Sequence, residues 1–181
     1  MTTSKKPNKA ISLETQKRNL LFNIGRSIRY NIKRQRFFEC WERGTNFLTI
    51  LCGSGTVYAV TQQYQSVVVI INILLTALSS LGLVIGFSNK ARDHRDFAKQ
   101  YLNLKEQLTT KPLTQSLCDE IKLAMQRIDL EEPPVLVVLE QICYNEQINM
   151  ENLPKEKITP IRWYQRILAD YVDICSHRLM R

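Results

Sequence analysis

The sequence predicts an all-α membrane protein built on a two-helix transmembrane hairpin, whose second helix extends into a cytosolic helical domain. Residues 44–89 contain no Asp, Glu, Lys, Arg or His, although 23% of the chain is charged. Two spans of about 20 residues and a short turn would fill this block. Outside it, apolar residues recur at spacings of three and four between charged ones, and no segment has an evident strand partner. The mean hydropathy of −0.22 averages these unlike regions.

This pattern divides the chain into three parts. Residues 1–43 form a tail and a basic amphipathic helix, 44–89 the hairpin, and 90–181 a cytosolic helical domain. Ser12 is the expected N-cap of the first helix. Two arrangements of that helix remain open, one on the membrane surface and one against the cytosolic helices. Its apolar residues are Leu21, Ile24, Ile28, Phe38 and Trp41.

The positive charge is concentrated before the hairpin. Residues 1–43 hold eleven Lys or Arg and three acidic residues, whereas 90–181 hold fourteen of each sign. Because the basic segment precedes the membrane, it favours anionic lipid headgroups over nucleic acid as a partner. Trp41, at the edge of the uncharged block, is expected to anchor the interface.

The two spans are predicted at 45–63 and 66–87, with residues 62–65 as a polar turn. That turn carries no Lys or Arg, whereas both flanks are rich in them. The positive-inside rule therefore predicts a multi-pass protein with both termini in the cytoplasm.

Small and polar residues follow one face of each span. In one alternative the two faces meet inside a single hairpin; in the other, part of the second face lines a pore formed by several chains. Small residues four apart, at Gly55–Ala59 and Gly82–Gly86, favour helix association. The candidate pore or interface residues are Thr49, Gly55, Thr56, Asn72, Thr76, Ser79, Ser80, Gly82 and Gly86.

Beyond the hairpin, four helical segments are predicted. The second span continues to Lys111 and Pro112, with an apolar seam of Ala91, His94, Ala98, Tyr101, Lys105 and Leu108. Further helices are expected at 113–130, at about 135–150 and at 161–180, separated by the breaks at 131–134 and 151–160. The last helix is expected to contain the apolar residues Trp163, Ile167, Leu168, Tyr171 and Ile174.

Four residues just after the second span are candidates for a cytosolic site: Lys90, Arg92, His94 and Arg95. They could bind a phosphate-bearing ligand or gate a pore, although such a run is more often a simple positive flank. Five scattered cysteines and two lone histidines match no metal-ligand or disulfide spacing, and no catalytic motif occurs. The sequence therefore predicts no metal, no cofactor and no enzymatic activity.

The hairpin, the segment SNKARDHRDFAKQYLNLKEQL and the later segment EEPPVLVVLEQICYNE together resemble the SLATT family of bacterial two-transmembrane effectors. The resemblance spans roughly residues 15–175 and lies in the helix pattern. It implies an oligomeric effector of the bacterial inner membrane that forms pores or disrupts the bilayer during phage defence. It also implies a nucleotide signal or a cytosolic sensor protein as activator, without assigning residues to either.

Two other functions compete with the effector. In the first, the hairpin only tethers a scaffold or adaptor, whose cytosolic helices recruit a partner protein. A phage holin is less favoured, because a cytosolic portion of about 90 residues exceeds what lysis timing needs.

Overall fold

The computed structural model describes residues 12–53 and 65–173. All regular structure in these ranges is helical, without any strand, which confirms the all-α class. The helices are α1 (Leu13–Gly53), α2 (Gln65–Ile85), α3 (Phe87–Thr110), α4 (Gln115–Glu131), α5 (Val137–Met150) and α6 (Trp163–Leu168), with a 3-10 turn at Lys155–Lys157.

Helix α1 runs without interruption from the basic segment into the first predicted span. Ser12 caps it, since its Oγ accepts a hydrogen bond from Thr15 N at 3.3 Å. The predicted division after residue 43 therefore marks a change of composition but no break in the helix. The rest of that span, with Gly55, Thr56 and the turn at 62–65, lies outside the described residues apart from Gln65.

A single residue separates α2 from α3. Gly86 has φ +66°, a conformation that glycine adopts without a steric penalty. The hydrogen bonds from Gly86 N to Gly82 O and from Lys90 N to Gly86 O, both 3.0 Å, still bridge the junction. The predicted extension beyond the second span is therefore present, with a local break that its composition did not indicate.

The described residues form two compact units, and α1 and α3 contribute to both. One unit contains 12–30 and 97–173, and the other contains 31–53 and 65–96. These boundaries differ from the predicted ones at 43 and 89, because the start of α1 packs with the later helices.

The larger unit has an aliphatic core around Ile24 and Tyr101, both without solvent exposure. Ile24 belongs to α1, so the first part of the basic helix packs against α3 and α4, as in one of the two alternatives. The inclusion of Lys105 in the seam of α3 was wrong: Lys105 is exposed and Leu104 is buried. The buried core residues are Ile24, Tyr101, Leu104, Leu108, Leu117, Ile121 and Ile128.

A second cluster in this unit surrounds α5. It contains Tyr30, Val138, Leu139, Cys143 and Ala169. The start of α5 is held from two directions. Asp173 accepts hydrogen bonds from the backbone nitrogens of Val137 and Val138 at 3.0 and 3.1 Å, and the Tyr30 hydroxyl accepts one from Leu136 N at 3.0 Å. A carboxylate at this position also complements the helix dipole.

The last helix is shorter than predicted. Helix α6 ends at Leu168, where turn bonds from Tyr171 N and Val172 N to Leu168 O follow, so that Asp173 meets α5. Trp163 and Ile167 are 76% and 64% exposed, and Tyr171 is also exposed. The buried residues here are Gln165 and Ala169; Ile174 and the rest of the predicted helix lie outside the described residues.

Alanine substitutions at two glycines of α1 are expected to change the free energy of unfolding in opposite directions, because only the first glycine lies close to α5. A Cβ at Gly25 would lie 2.6 Å from Gln147 Nε2, and the Gln147 amide is fixed by Arg29 (2.8 Å) and Glu151 (2.7 Å). We expect Gly25→Ala to lower the free energy of unfolding by about 2 kcal/mol, since lost charge-assisted bonds outweigh the gain in helix propensity.

Gly44→Ala is the matched control, because nothing lies within 4 Å of its added Cβ. We expect it to raise the free energy of unfolding by up to about 1 kcal/mol. Denaturant unfolding of the full chain in detergent measures both changes, and equal effects at the two sites would contradict this packing.

Candidate functional site

The predicted polar face of α2 divides into two groups. The first group, Ser79 and Gly82, faces α1. Thr49 Oγ1 lies 3.4 Å from Ser79 Oγ, and a Cβ at Gly82 would lie 3.8 Å from Thr45 Cγ2. The first alternative, in which polar faces meet inside one hairpin, therefore applies to these residues. Gly82 has room for a methyl group within the chain, so this contact does not require a glycine.

The second group, Asn72, Thr76 and Ser80, is exposed. These residues are four apart and therefore form one line along the helix. Two of them bond to their own helix: Asn72 Nδ2 donates to Val68 O at 2.9 Å, and Thr76 Oγ1 donates to Asn72 O at 2.8 Å. This line does not face α1 and is available to another molecule.

The surface around the polar line is strongly apolar. Leu83 and Val84 are each 85% exposed, and Ile73 and Leu74 are also exposed. The stretch Ser66–Thr110, taken across the Gly86 junction, is the one helix in the described residues that is long and apolar enough to cross a membrane. Its apolar window has a mean hydropathy of 2.5 and no buried residue. A core helix of a soluble protein would instead be covered by its neighbours.

A groove of about 460 Å³ lies at the base of the hairpin. Its lining combines Thr45 and Thr49 from α1 with Ser79 and Gly82 from α2, and Glu42 is its one ionisable residue. A smaller cleft of about 200 Å³ lies closer to α3. Its lining includes two acidic residues of α1, Glu39 and Glu42, and two basic residues of α3, Arg92 and Arg95.

The predicted cytosolic flank is not uniform. Lys90, Arg92 and Arg95 are exposed, as a positive flank requires. His94 is only 5% exposed, so its assignment to that surface was wrong. Its ring stacks on Phe38 with centroids 5.7 Å apart, and its Nδ1 lies 2.7 Å from Asn31 Oδ1.

The surroundings of His94 keep it neutral near pH 7. Burial, together with the charges of Arg34 and Lys90, lowers its pKa from 6.5 to about 4, and the opposing charge of Asp93 is included in that value. A neutral, buried imidazole is not a ligand for phosphate. His94 instead joins α3 to α1 through its contacts with Asn31 and Phe38.

Phe38 of α1 lies at the centre of the contacts between α1 and α3. Phe38 was predicted to lie on the apolar face of the first helix, but these contacts were not predicted. Its ring centroid lies 6.4 Å from that of Phe87, and the Phe87 ring stacks with Trp41 at 5.9 Å. Arg34 Cζ lies 4.5 Å from the Phe38 centroid and Lys90 Nζ lies 5.8 Å from it. The spacing of Arg34, Phe38 and Trp41 along one helix face was the available signal.

The helical unit has polar features of its own. The Tyr101 hydroxyl donates to Asp129 Oδ1 at 2.5 Å, and burial together with this bond raises the pKa of Tyr101. Arg26 and Glu140 form an ion pair at 3.3 Å beside a cavity of about 310 Å³. Among the described residues, no group of three His, Cys, Asp or Glu side chains is placed to hold a metal ion.

The chain matches no family model, no curated protein and no solved structure. The resemblance to the SLATT family thus rests on the helix pattern and stays a prediction.

The buried histidine predicts a pH dependence of stability. Because the pKa of His94 falls from 6.5 to about 4 on folding, the unfolded chain binds its proton first. The stabilisation is complete above pH 6.5 and is lost as the pH falls to 4, with a loss of about 3 kcal/mol at most. His94→Gln keeps a hydrogen-bonding side chain but cannot titrate, so we expect a smaller loss over this range. Unfolding curves from pH 7 to 4 compare the two proteins, and parallel pH profiles would contradict the assignment.

Proposed function

We propose that this chain is an oligomeric membrane effector of the bacterial inner membrane. Both helices of its hairpin cross the bilayer, both termini lie in the cytoplasm, and several copies associate to form a pore or lesion. The observation that carries the proposal is the exposed line of Asn72, Thr76 and Ser80 on an otherwise apolar helix.

The energetics of polar groups in hydrocarbon support association through this line. The Thr76 hydroxyl satisfies its donor on its own helix, so it can face lipid at low cost. Asn72 has greater hydrogen-bonding capacity, because its amide offers two donors and a two-lone-pair acceptor, and the bond to Val68 O uses one donor. A second copy of the chain can satisfy the remainder.

The number of helices supports an assembly over a monomeric channel. Two helices cannot enclose a conducting path, whereas the polar lines of several hairpins can surround one. The exposed leucines and valines of α2 would then face lipid. The helical unit that contains α4 and α5 would control assembly, with a nucleotide signal or a sensor protein of phage defence as activator. That last step is supported by the resemblance to the SLATT family alone.

A membrane-anchored adaptor is the second candidate, and one observation favours it. Trp163, Ile167 and Leu130 expose large apolar surfaces on the helical unit. Aromatic and aliphatic anchors of this kind are common in protein recognition surfaces.

Replacement of the polar line tests the effector. We expect Asn72→Leu with Thr76→Leu and Ser80→Leu to weaken association by about 2 kcal/mol per interface, on the order of 30-fold. Induced expression with a membrane-potential dye should then show much less depolarisation than the parent chain. The matched control, Ile70→Leu with Leu74→Ile, changes exposed positions on another face of α2 and should behave as the parent. Full depolarisation by the triple variant at equal membrane levels would contradict the pore.

The adaptor predicts the reverse pattern. Trp163→Ser with Ile167→Ser should abolish its function, while the triple leucine variant should retain it. Because both side chains are exposed, we expect the free energy of unfolding to change by no more than about 0.5 kcal/mol. A cellular assay of the two variants side by side, with unfolding curves as the control, separates the two functions.

A further inference from the structure

A cavity of about 420 Å³ lies in the unit that contains α4 and α5, lined by the start of α1, by α5 and by the residues that follow α5. Pockets that bind small molecules have volumes of about 300 to 1,000 Å³, so this cavity has room for one small organic molecule. Residues four apart share a helix face, so α1 presents two adjacent lines of side chains to it. The polar and aromatic residues of the lining are Arg18, Asn19, Phe22, Asn23, Tyr144 and Lys157.

One wall of the cavity is aromatic. The rings of Phe22 and Tyr144 meet edge to face, with centroids 5.3 Å apart and an angle of 73° between the ring planes. Both side chains are half-buried, and Ile148, which also lines the cavity, has no solvent exposure. Because each ring packs against the other, the pair offers fixed apolar surface to a planar ring, and little conformational entropy is lost when a ligand binds.

Four polar side chains of the lining have unused hydrogen-bonding groups. Arg18 and Lys157 are exposed cations, and within the described residues neither side chain has a hydrogen bond or an ion pair. The same holds for the side-chain amides of Asn19 and Asn23. All four groups line one cavity, so a single ligand can contact both cationic and amide groups there.

The sign of the charge distinguishes this cavity from the smaller one beside the Arg26–Glu140 ion pair. The lining of the smaller cavity holds one cation and three carboxylates. The larger cavity has two cations and one carboxylate, that of Glu151, which already accepts a hydrogen bond from Gln147 Nε2 at 2.7 Å. The larger cavity therefore favours an anion, whereas the smaller one repels it.

The turn after α5 fixes the remaining side of the cavity. Asn152 lies between the lining residues Glu151 and Leu153 and has φ +51°, a left-handed conformation that Asn adopts more readily than most residues. Leu153 N then donates to Ile148 O at 3.0 Å, and Lys157 N donates to Pro154 O at 3.2 Å. These backbone bonds shape the turn in the absence of any ligand, which lowers the cost of binding.

We propose that this cavity binds a small organic anion that carries a planar aromatic ring. The ring packs against Phe22 and Tyr144. The anionic group pairs with the Arg18 guanidinium, which can donate two parallel hydrogen bonds to a phosphate or carboxylate, and Lys157 adds a second positive charge to the lining. The proposal does not depend on a membrane location or on a pore, because every lining residue belongs to one helical unit.

The test uses naphthyl phosphate as a probe that combines a planar ring with a phosphate group. Isothermal titration calorimetry of the full chain in a nonionic detergent measures its binding, with empty micelles as the blank. Inorganic phosphate and naphthol each carry one half of the probe. We expect naphthyl phosphate to bind about tenfold more tightly than either half, because only the whole probe contacts the aromatic wall and the cations together.

Three variants assign the binding to these residues. We expect Arg18→Gln with Lys157→Gln to weaken binding of naphthyl phosphate on the order of tenfold, through loss of the charge-assisted bonds. Phe22→Leu keeps an apolar side chain without a ring and should weaken binding about fivefold. Lys122→Gln with Arg127→Gln is the matched control: it removes two exposed cations of the same unit that do not line the cavity, and it should bind as the parent does.

Three outcomes would overturn the site. These are a heat of binding no greater than that of the empty micelles, an equal loss in the Lys122 and Arg127 control, and binding of inorganic phosphate or naphthol as tight as that of the whole probe. Arg18→Lys with Lys157→Arg keeps both charges, so it should recover most of the affinity if the first variant fails in binding and not in folding. Because depolarisation is measured separately, failure of this site and failure of the proposed pore are distinguishable.

Discussion

The apolar surface of α2 is the constraint on which the rest of the structure depends. Leu83 and Val84 are almost fully exposed, and the apolar window of this helix contains no buried residue. Each exposed side chain of this size would cost roughly 1.5 to 3 kcal/mol in water relative to burial. No part of the chain within the described residues covers this surface, and its length and apolar composition are sufficient to cross a membrane. Helix α1 extends alongside and adds Phe47 and Ile50 to the same exposed surface.

Below this surface the chain changes from apolar to charged through a layer of aromatic rings. In this layer each aromatic ring contacts the next: Trp41 contacts Phe87, and Phe87 contacts Phe38. The neutral ring of His94 stacks on Phe38. A charged imidazole here would be buried and would lie near the positive charges of Arg34 and Lys90. Both effects disfavour its protonation and lower the pKa of His94. The layer thus joins α1 to α3 through ring contacts, and the cations of Arg34 and Lys90 lie over one of its rings, that of Phe38.

The sequence predicted those features that depend on local patterns. Ser12 caps α1 and the Glu131–Pro134 break follows α4, as predicted, because caps and prolines act within a few residues. Periodicity could not choose between Leu104 and Lys105, since both lie near one face of a 3.6-residue helix. The seam of α3 included His94, which is indeed buried, but its partners Asn31 and Phe38 lie more than fifty residues away and could not be predicted from periodicity. The end of α6 likewise depends on Asp173 reaching the start of α5, a contact that no local pattern contains.

The polar face of α2 contains two groups of residues, and the two proposed functions, an effector and a tether, differ in their need for the second group. A hairpin that only anchors a protein needs a match between its two helices, and Ser79 with Gly82 against Thr45 and Thr49 supplies one. The exposed residues of α2, by contrast, take no part in the contact of Ser79 and Gly82 with α1; they are Asn72, Thr76 and Ser80. If α2 lies in hydrocarbon, the Thr76 hydroxyl costs little there because it bonds to its own helix, whereas the part of the Asn72 amide that Val68 O leaves unpaired costs free energy. Their arrangement in one line, one helical turn apart, is the feature on which the proposed contact between copies of the chain depends, and it is absent from the requirements of the proposed adaptor.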